Sequence, residues 1–107
     1  MPVTAATFHI LLTLAGGERH GYAIMREVAE QTDGAIRLGP GTLYGTLKRL
    51  AEQGLIEELE ERGEGDERRR YYKLTRAGRA LAAAESRRLA AAVRDARRKR
   101  LIGPERA

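Results

Sequence analysis

The sequence predicts one α+β domain, mostly helical, in which three helices precede a β-hairpin and a long fourth helix follows it. Three observations lead to this prediction. The length of 107 residues suits a single domain. Apolar residues recur at helical spacing in four segments, and one weakly alternating stretch turns back through a glycine-rich loop. Hydrophobic residues make up 42% and charged residues 33%, which is typical of a folded domain and of neither a disordered nor a membrane chain.

The Pro, Gly and Thr residues at the ends of these segments set the predicted boundaries. Pro40 suits the first turn of the third helix, because its missing N–H costs nothing there. Gly54 ends that helix, and Thr75 is placed to cap the last one. The predicted elements, in order, are a helix at 4–14, a helix at 21–32, a strand at 36–38, a helix at 40–53, strands at 55–62 and 68–74, and a helix at 76–100.

The third helix separates an apolar face from a polar one. Leu43, Leu47 and Leu50 fall within a narrow arc of the helical wheel. A face that is small, hydroxylated and basic points sideways or away from that arc, so it can approach another surface closely. Its residues are Gly41, Thr42, Tyr44, Gly45, Lys48 and Arg49.

Three helices followed by a β-hairpin form the winged helix-turn-helix arrangement. We predict a winged-helix domain over residues 1–78, a long helix over 79–102 that belongs to the same compact domain, and a frayed tail over 103–107. The long helix has little of its own domain to cover its apolar seam, so a second copy of the chain is the natural cover. That seam consists of Leu81, Glu85, Leu89, Val93 and Ala96.

The charge distribution is more informative than its total. The chain has 20 Lys and Arg, of which seventeen are Arg, against 15 acids, and its pI is about 10.1. Residues 52–67 contain eight acids and one base, whereas residues 68–100 contain thirteen bases and two acids. Arginine suits phosphate and guanine edges. On charge alone, however, a nucleic-acid binder and a protein with a merely solvated Arg-rich surface fit equally well.

Several function classes are excluded by composition. The chain has no cysteine, which rules out disulfides, thiolate zinc sites and thiol nucleophiles. His9 and His20 are too few for an all-histidine metal site. We expect a structural or interfacial role for His9, and for His20 a capping or packing role at the start of the second helix, with a phosphate contact as the alternative. No nucleophile–base–orienter set can be assembled, so we expect no enzyme, no cofactor and no metal. The longest uncharged stretch, residues 1–17, is too short and polar to span a membrane, so we expect a cytoplasmic protein.

Three short blocks of sequence occur in a recognisable order. They are residues 20–24 (HGYAI), residues 41–44 (GTLY) with 48–50 and 54–56, and residues 69–75 (RRYYKLT) with Gly78. Together they span about residues 10–80. At this spacing the chain resembles the PadR family of bacterial transcriptional regulators, in the compact type whose C-terminal part is a single dimerisation helix.

The resemblance implies a homodimer that binds a pseudo-palindromic operator in double-stranded DNA, usually as a repressor released by a small ligand. The third helix would then enter the major groove, and the hairpin wing would reach a minor groove or a flanking phosphate. The residues expected to contact DNA are Tyr22, Thr42, Tyr44, Lys48, Arg49, Arg68, Arg69 and Arg70. Those expected at the dimer interface are Phe8, Leu11, Leu12, Leu81, Leu89, Val93 and Ala96.

Two further expectations concern partners. Multidrug-binding relatives stack flat ligands on a Trp, but this chain has none, so a small apolar effector at the dimer interface is the ligand expected here. The alternative function is a winged-helix protein-interaction module whose acidic strand and basic helix bind other proteins. Such a module would more often carry an apolar patch on the outward face of the third helix.

Overall fold

The computed structural model describes residues 3–105, and within them it confirms the mostly helical winged helix-turn-helix fold. A short 3₁₀ turn (Gly65–Glu67) lies between the two strands of the hairpin. The elements are helices α1 (Ala5–Ala15), α2 (Gly21–Gln31), α3 (Pro40–Glu52) and α4 (Arg76–Arg98), and strands β1 (Arg19–His20), β2 (Ile56–Arg62) and β3 (Arg69–Leu74).

Each helix begins and ends within two residues of its predicted bounds, and local chemistry explains why. The Oγ1 atom of Thr4 accepts a hydrogen bond from the N–H of Thr7 at 3.1 Å, which caps α1. Thr75 caps α4 in the same way, through the N–H of Gly78 at 3.0 Å. Pro40 occupies the first turn of α3, as predicted.

The sheet differs from the prediction in one strand. Residues 36–38 form no strand; the third strand is β1, and the antiparallel order is β1-β3-β2. Ile36 is instead held in the loop before α3, where its N–H donates to the Oγ1 of Thr32 at 3.0 Å. Arg19 and His20 pair with Tyr72 and Tyr71, because the chain leaving α1 passes along the free edge of β3.

The core lies between the first three helices, the sheet and the first turns of α4. Gly78 permits a close approach there, since a Cβ at this position would collide with the carbonyl oxygen of Leu55 and lie 2.7 Å from a methyl carbon of Leu74. Thr75 strengthens the same junction by donating to the carbonyl of Gly54 at 2.7 Å. The central residues of the core are Ile10, Leu11, Leu14, Ile24, Val28, Leu43, Leu47, Leu50, Ile56, Tyr72 and Ala82.

The second half of α4 projects away from this core. The molecule measures 53 × 26 × 26 Å with a radius of gyration of 15.6 Å, whereas a compact chain of this length would have about 13 Å. Residues 86–94 of α4 are all exposed. Residues 103–105 have no regular structure, and residues 106 and 107 of the predicted tail lie outside the described residues. Within residues 3–105, no helix is both long and apolar enough to cross a membrane.

Candidate nucleic-acid interface

The outward face of α3 is assembled as the helical wheel predicts. Leu43, Leu47 and Leu50 are buried, and Gly41, Thr42, Tyr44, Lys48 and Arg49 are exposed, while Gly45 is half-buried. Gly39 precedes the helix without a side-chain cap. The backbone N–H groups of the first turn after Pro40 therefore remain available to an acceptor such as a phosphate.

The polar residues of α3 lie on two flanks. Tyr44 and Lys48 line a groove of about 430 Å³ between α3 and the hairpin, with Glu58, Arg70 and Tyr72 among the residues of its lining. Thr42 and Arg49 lie on the opposite flank and line a cleft of about 460 Å³ between α3, the start of α1 and α4.

Neither cation of α3 is engaged by an acid. Among the residues that the structure describes, no carboxylate lies within 4 Å of the charged nitrogens of Lys48 or Arg49. Arg49 donates to the Oγ1 of Thr46 at 3.2 Å, which is a neutral hydrogen bond within the helix. Both positive charges therefore remain available to a phosphate or a base edge.

The start of α2 supports the Tyr44 flank. A Cβ at Gly21 would lie 2.7–2.8 Å from carbon atoms of the Tyr44 ring, so only glycine lets this ring lie across the first turn of α2. Tyr22 is 56% exposed, and the guanidinium of Arg26 lies 5.7 Å from the centre of its ring.

His20 has the capping role expected from the sequence. Its Nδ1 accepts a hydrogen bond from the N–H of Ala23 at 3.2 Å, and its ring meets that of Tyr71 edge-on at 5.4 Å. Burial lowers the pKa of His20 below its ordinary value of 6.5, and the positive charges of Arg69 and Arg26 lower it further. The neutral imidazole that can accept this bond is therefore favoured.

The three wing arginines have different partners. Arg68 and Arg70 both pair with Glu61, and Arg70 also pairs with Glu58 at 2.8 Å. The hydrogen bond that Arg70 donates to the carboxylate of Glu58 raises the pKa of Arg70 above its ordinary range. Arg69 instead donates to the backbone carbonyl of Asp66 at 2.8 Å, and it has no acidic partner among the described residues. The sequence did not predict these pairs, although the run of acids before the wing was visible.

The residues expected at a dimer interface are in three different environments. Leu12, Leu89 and Val93 are exposed by 37–40%. Leu81 and Ala96 are half-buried, and Phe8 is 9% exposed.

Leu11 is reassigned by the structure. Its exposure is 0%, because it packs inside the chain's own core and has no surface left for a partner. Glu85 in the seam is buried beside Arg88, whose two nitrogens donate to its carboxylate at 2.6 and 2.8 Å. These hydrogen bonds lower the pKa of Glu85.

The described part of the chain contains no candidate metal site. Within residues 3–105, no group of three or more His, Cys, Asp or Glu side chains could hold a metal ion.

Known proteins resemble this chain in sequence and in structure. Residues 10–84 match the model of the transcriptional regulator PadR-like family. The chain is 47% identical over 81 residues to an uncharacterized 37.1 kDa protein in transposon TN4556 of Streptomyces fradiae, with 76% of this chain and 22% of that protein covered. It is 41% identical over 76 residues to the transcriptional regulator Rv3488 of Mycobacterium tuberculosis, with 71% of this chain and 67% of that protein covered. Its structure matches that of Bacillus subtilis PadR in complex with operator DNA at a TM-score of 0.67 and 25% identity, covering 78% of this chain and 47% of that one.

Proposed function

This chain belongs to the PadR-like family of transcriptional regulators, and we propose that it acts in the cytoplasm as a homodimer that represses transcription by binding a pseudo-palindromic operator. The observation that carries this proposal is the face of α3, where Lys48 and Arg49 stand exposed beside small and hydroxylated residues and have no acidic partner among residues 3–105. A regulator needs no catalytic centre, in agreement with the sequence-based expectation that the chain is not an enzyme.

The proposed contacts follow from the two flanks of α3. Arg49 and Thr42 on one flank, with Tyr44 and Lys48 on the other, would meet base edges and phosphates on the two sides of a major groove. Gly41 has open space around its Cα, so the helix backbone can approach the groove floor. The first-turn N–H groups would bind a phosphate.

The wing and the start of α2 would extend this contact along the DNA backbone. Tyr22 is exposed, and its hydroxyl would reach a flanking phosphate. Arg68, Arg69 and Arg70 lie at the exposed end of the hairpin, where a minor groove or its phosphates would approach. Arg69 is the one among these three that has no carboxylate partner in the described part of the chain.

The proposed dimer is supported by the shape of the chain. The second half of α4 projects from the core with Leu89 and Val93 exposed, and Leu12 of α1 is exposed as well. Two copies related by a twofold axis would cover these side chains. Because α4 is joined tightly to the winged domain at Thr75 and Gly78, the dimer would also fix the distance between the two α3 helices.

A small apolar effector between the two chains would alter that distance. We place it near Phe8, Leu12, Leu89 and Val93, where the alanines of α4 leave little side-chain volume. Such a ligand weakens DNA binding to the extent that it prefers one spacing of the helices over the other.

The protein-interaction alternative is less well supported. All of residues 40–53 are described, and the leucines among them are buried; Tyr44 is the exposed large apolar side chain of α3. A surface built to bind another protein would more often present a contiguous apolar patch.

Footprinting on the DNA upstream of the protein's own gene tests the proposed function. We expect protection of two half-sites whose centres lie about one helical turn apart, roughly 34 Å, because a twofold dimer presents two α3 helices. The logarithm of the affinity should fall linearly with the logarithm of the salt concentration. Equal protection of all sequences, or an affinity insensitive to salt, would refute a specific DNA-binding function.

A further inference from the structure

Two acids and two arginines form a connected set of ion pairs on the wing. Nη1 of Arg70 lies 2.8 Å from a carboxylate oxygen of Glu58, and Nη2 lies 3.3 Å from one of Glu61. The other oxygen of Glu61 lies 2.9 Å from Nε of Arg68. Glu61 is therefore the residue that contacts both arginines. We call these four residues the wing ion-pair cluster.

A β-bulge brings the cluster together. Glu58 faces Tyr72 and Glu61 faces Arg70, so three steps along β2 correspond to two steps along β3. In a regular strand, residues three apart would point to opposite faces of the sheet. The extra residue in β2 puts Glu58 and Glu61 on the same face, the one that carries Arg70.

This face is the one that looks toward α3. Glu58, Arg70 and Tyr72 line the groove between the wing and α3, and Tyr44 and Lys48 line its other wall. Arg70 thus stands across this groove from Lys48, which has no carboxylate partner among the described residues, within the surface proposed to bind DNA.

We propose that Glu61 is a specificity-determining residue. By pairing with Arg68 and Arg70, it reduces the positive charge that the wing offers to DNA of any sequence. The proposal rests on the proposed DNA binding. Binding to unrelated sequences depends almost entirely on the neutralisation of phosphates, whereas an operator is also recognised through base contacts. An acid that competes with phosphates for two arginines therefore weakens non-specific binding by a larger factor than operator binding.

The pairs are exposed enough to be exchanged. The side chains of Arg68 and Arg70 are 63% and 51% exposed, and that of Glu61 is 38% exposed. Exposed ion pairs of this kind are weak, so a phosphate held close to the wing can replace the carboxylate. Once α3 is bound at the operator, the wing arginines can contact the DNA backbone. On unrelated DNA they remain paired with Glu61.

Glu61→Gln tests the proposal, and Glu57→Gln is its matched control. Both variants remove one negative charge from β2, but Glu57 pairs with Lys73 at 3.2 Å on the opposite face of the sheet. Affinities would be measured for the footprinted operator duplex and for a scrambled duplex of equal length, at several salt concentrations. We expect Glu61→Gln to tighten binding to the scrambled duplex roughly threefold to tenfold and to steepen its salt dependence by about one phosphate contact or more.

The operator affinity should rise by a smaller factor in Glu61→Gln, so that its preference over the scrambled duplex declines. Glu57→Gln should change both duplexes by the same small factor. Equal effects of the two variants on the scrambled duplex, or weaker binding of both duplexes by Glu61→Gln, would overturn the proposal while leaving the DNA-binding function intact. A wild-type protein without any operator preference would instead overturn the proposed function, and this inference with it.

A second background guards against an indirect effect on folding. In an Arg68→Gln, Arg70→Gln protein, the added substitution Glu61→Gln has no arginine left to release. We therefore expect its effect on the scrambled duplex to fall to that of Glu57→Gln. A full effect that persists without the two arginines would show that Glu61 does not act through them, and would overturn the proposal.

Discussion

Helix α3 and the hairpin wing both carry cations, but the surroundings of these cations differ. On α3, Lys48 and Arg49 have no acid within 4 Å among the described residues, and they project from a helix whose other face is fixed in the core. On the wing, Arg68 and Arg70 are joined to carboxylates of the neighbouring strand. The difference teaches that the number of cations on a surface does not measure the positive charge that it offers to a partner.

The largest expected effect comes from removing the cations of the two regions in turn. Lys48→Ala with Arg49→Ala should weaken operator binding by at least 1–3 kcal/mol, roughly the contribution of one base-reading arginine. Arg68→Ala with Arg70→Ala removes the same number of charges, but should cost less, about 1 kcal/mol, because these two arginines must break their pairs with carboxylates before they can contact the DNA backbone. Fluorescence anisotropy with a labelled operator would measure both. Equal losses would remove the distinction between the two regions.

A smaller effect is expected where α3 contacts α2. Gly21→Ala places a methyl group against the Tyr44 ring, so we expect a loss of about 1–3 kcal/mol in the free energy of unfolding, or a displaced ring and weaker DNA binding. Gly41→Ala is the control for stability alone, because no atom outside the local helix lies within 4 Å of its added Cβ. Urea unfolding measures both stabilities. If the two variants were equally stable and Gly21→Ala bound DNA as the wild type does, the Tyr44 flank would not depend on Gly21.

The smallest expected effects concern His20. The first is the dependence of the free energy of unfolding on pH. Because the pKa of His20 is lowered in the folded state, the unfolded chain takes up a proton first as the pH falls below 6.5. The stability contributed by neutral His20 is therefore complete above that pH and declines as the pH drops toward the folded-state pKa. His20→Asn retains a capping side chain, so its stability should decline less over this interval.

The pKa of His20 can also report on the charges of the wing arginines. Arg69 lowers the pKa of His20 by its charge, so Arg69→Gln should raise this pKa toward 6.5. Arg68→Gln should leave it nearly unchanged, because the charge of Arg68 is compensated by its pair with Glu61. A titration followed by NMR would measure both, and equal shifts would contradict the contrast between the two arginines.

Much of the fold was predictable because local signals coincide with the helix ends. Thr75, Pro40 and Gly54 lie at the boundaries that their chemistry predicts, and the leucines of α3 define its buried face. The two-residue strand β1 was missed because Arg19 and His20 carry no strand pattern; the path of the chain after α1 makes them a strand. Leu11 was assigned to a partner because periodicity shows which face is apolar, but not which neighbour covers it.

The site was predictable to a lesser degree. The wheel of α3 correctly separated exposed from buried residues, since helix geometry alone decides that question. The ion pairs of the wing depend on strand register, which the sequence pattern leaves open where Glu58, Glu60 and Glu61 offer several acids to one arginine. The bulge settles the choice in favour of Glu58 and Glu61.

The bulge also has an evolutionary consequence. On either side of it the pairing is regular, from Ile56 to Glu58 with Leu74 to Tyr72 and from Glu61 to Arg62 with Arg70 to Arg69. Loss of one of the two residues between Glu58 and Glu61, either Leu59 or Glu60, would join these two segments into one continuous ladder without changing any pair in either of them. Elsewhere in β2, a deletion would shift every following side chain to the other face. Differences in hairpin length among relatives of this protein should therefore accumulate at this bulge, where the lineage can gain or lose a codon without changing which charges meet.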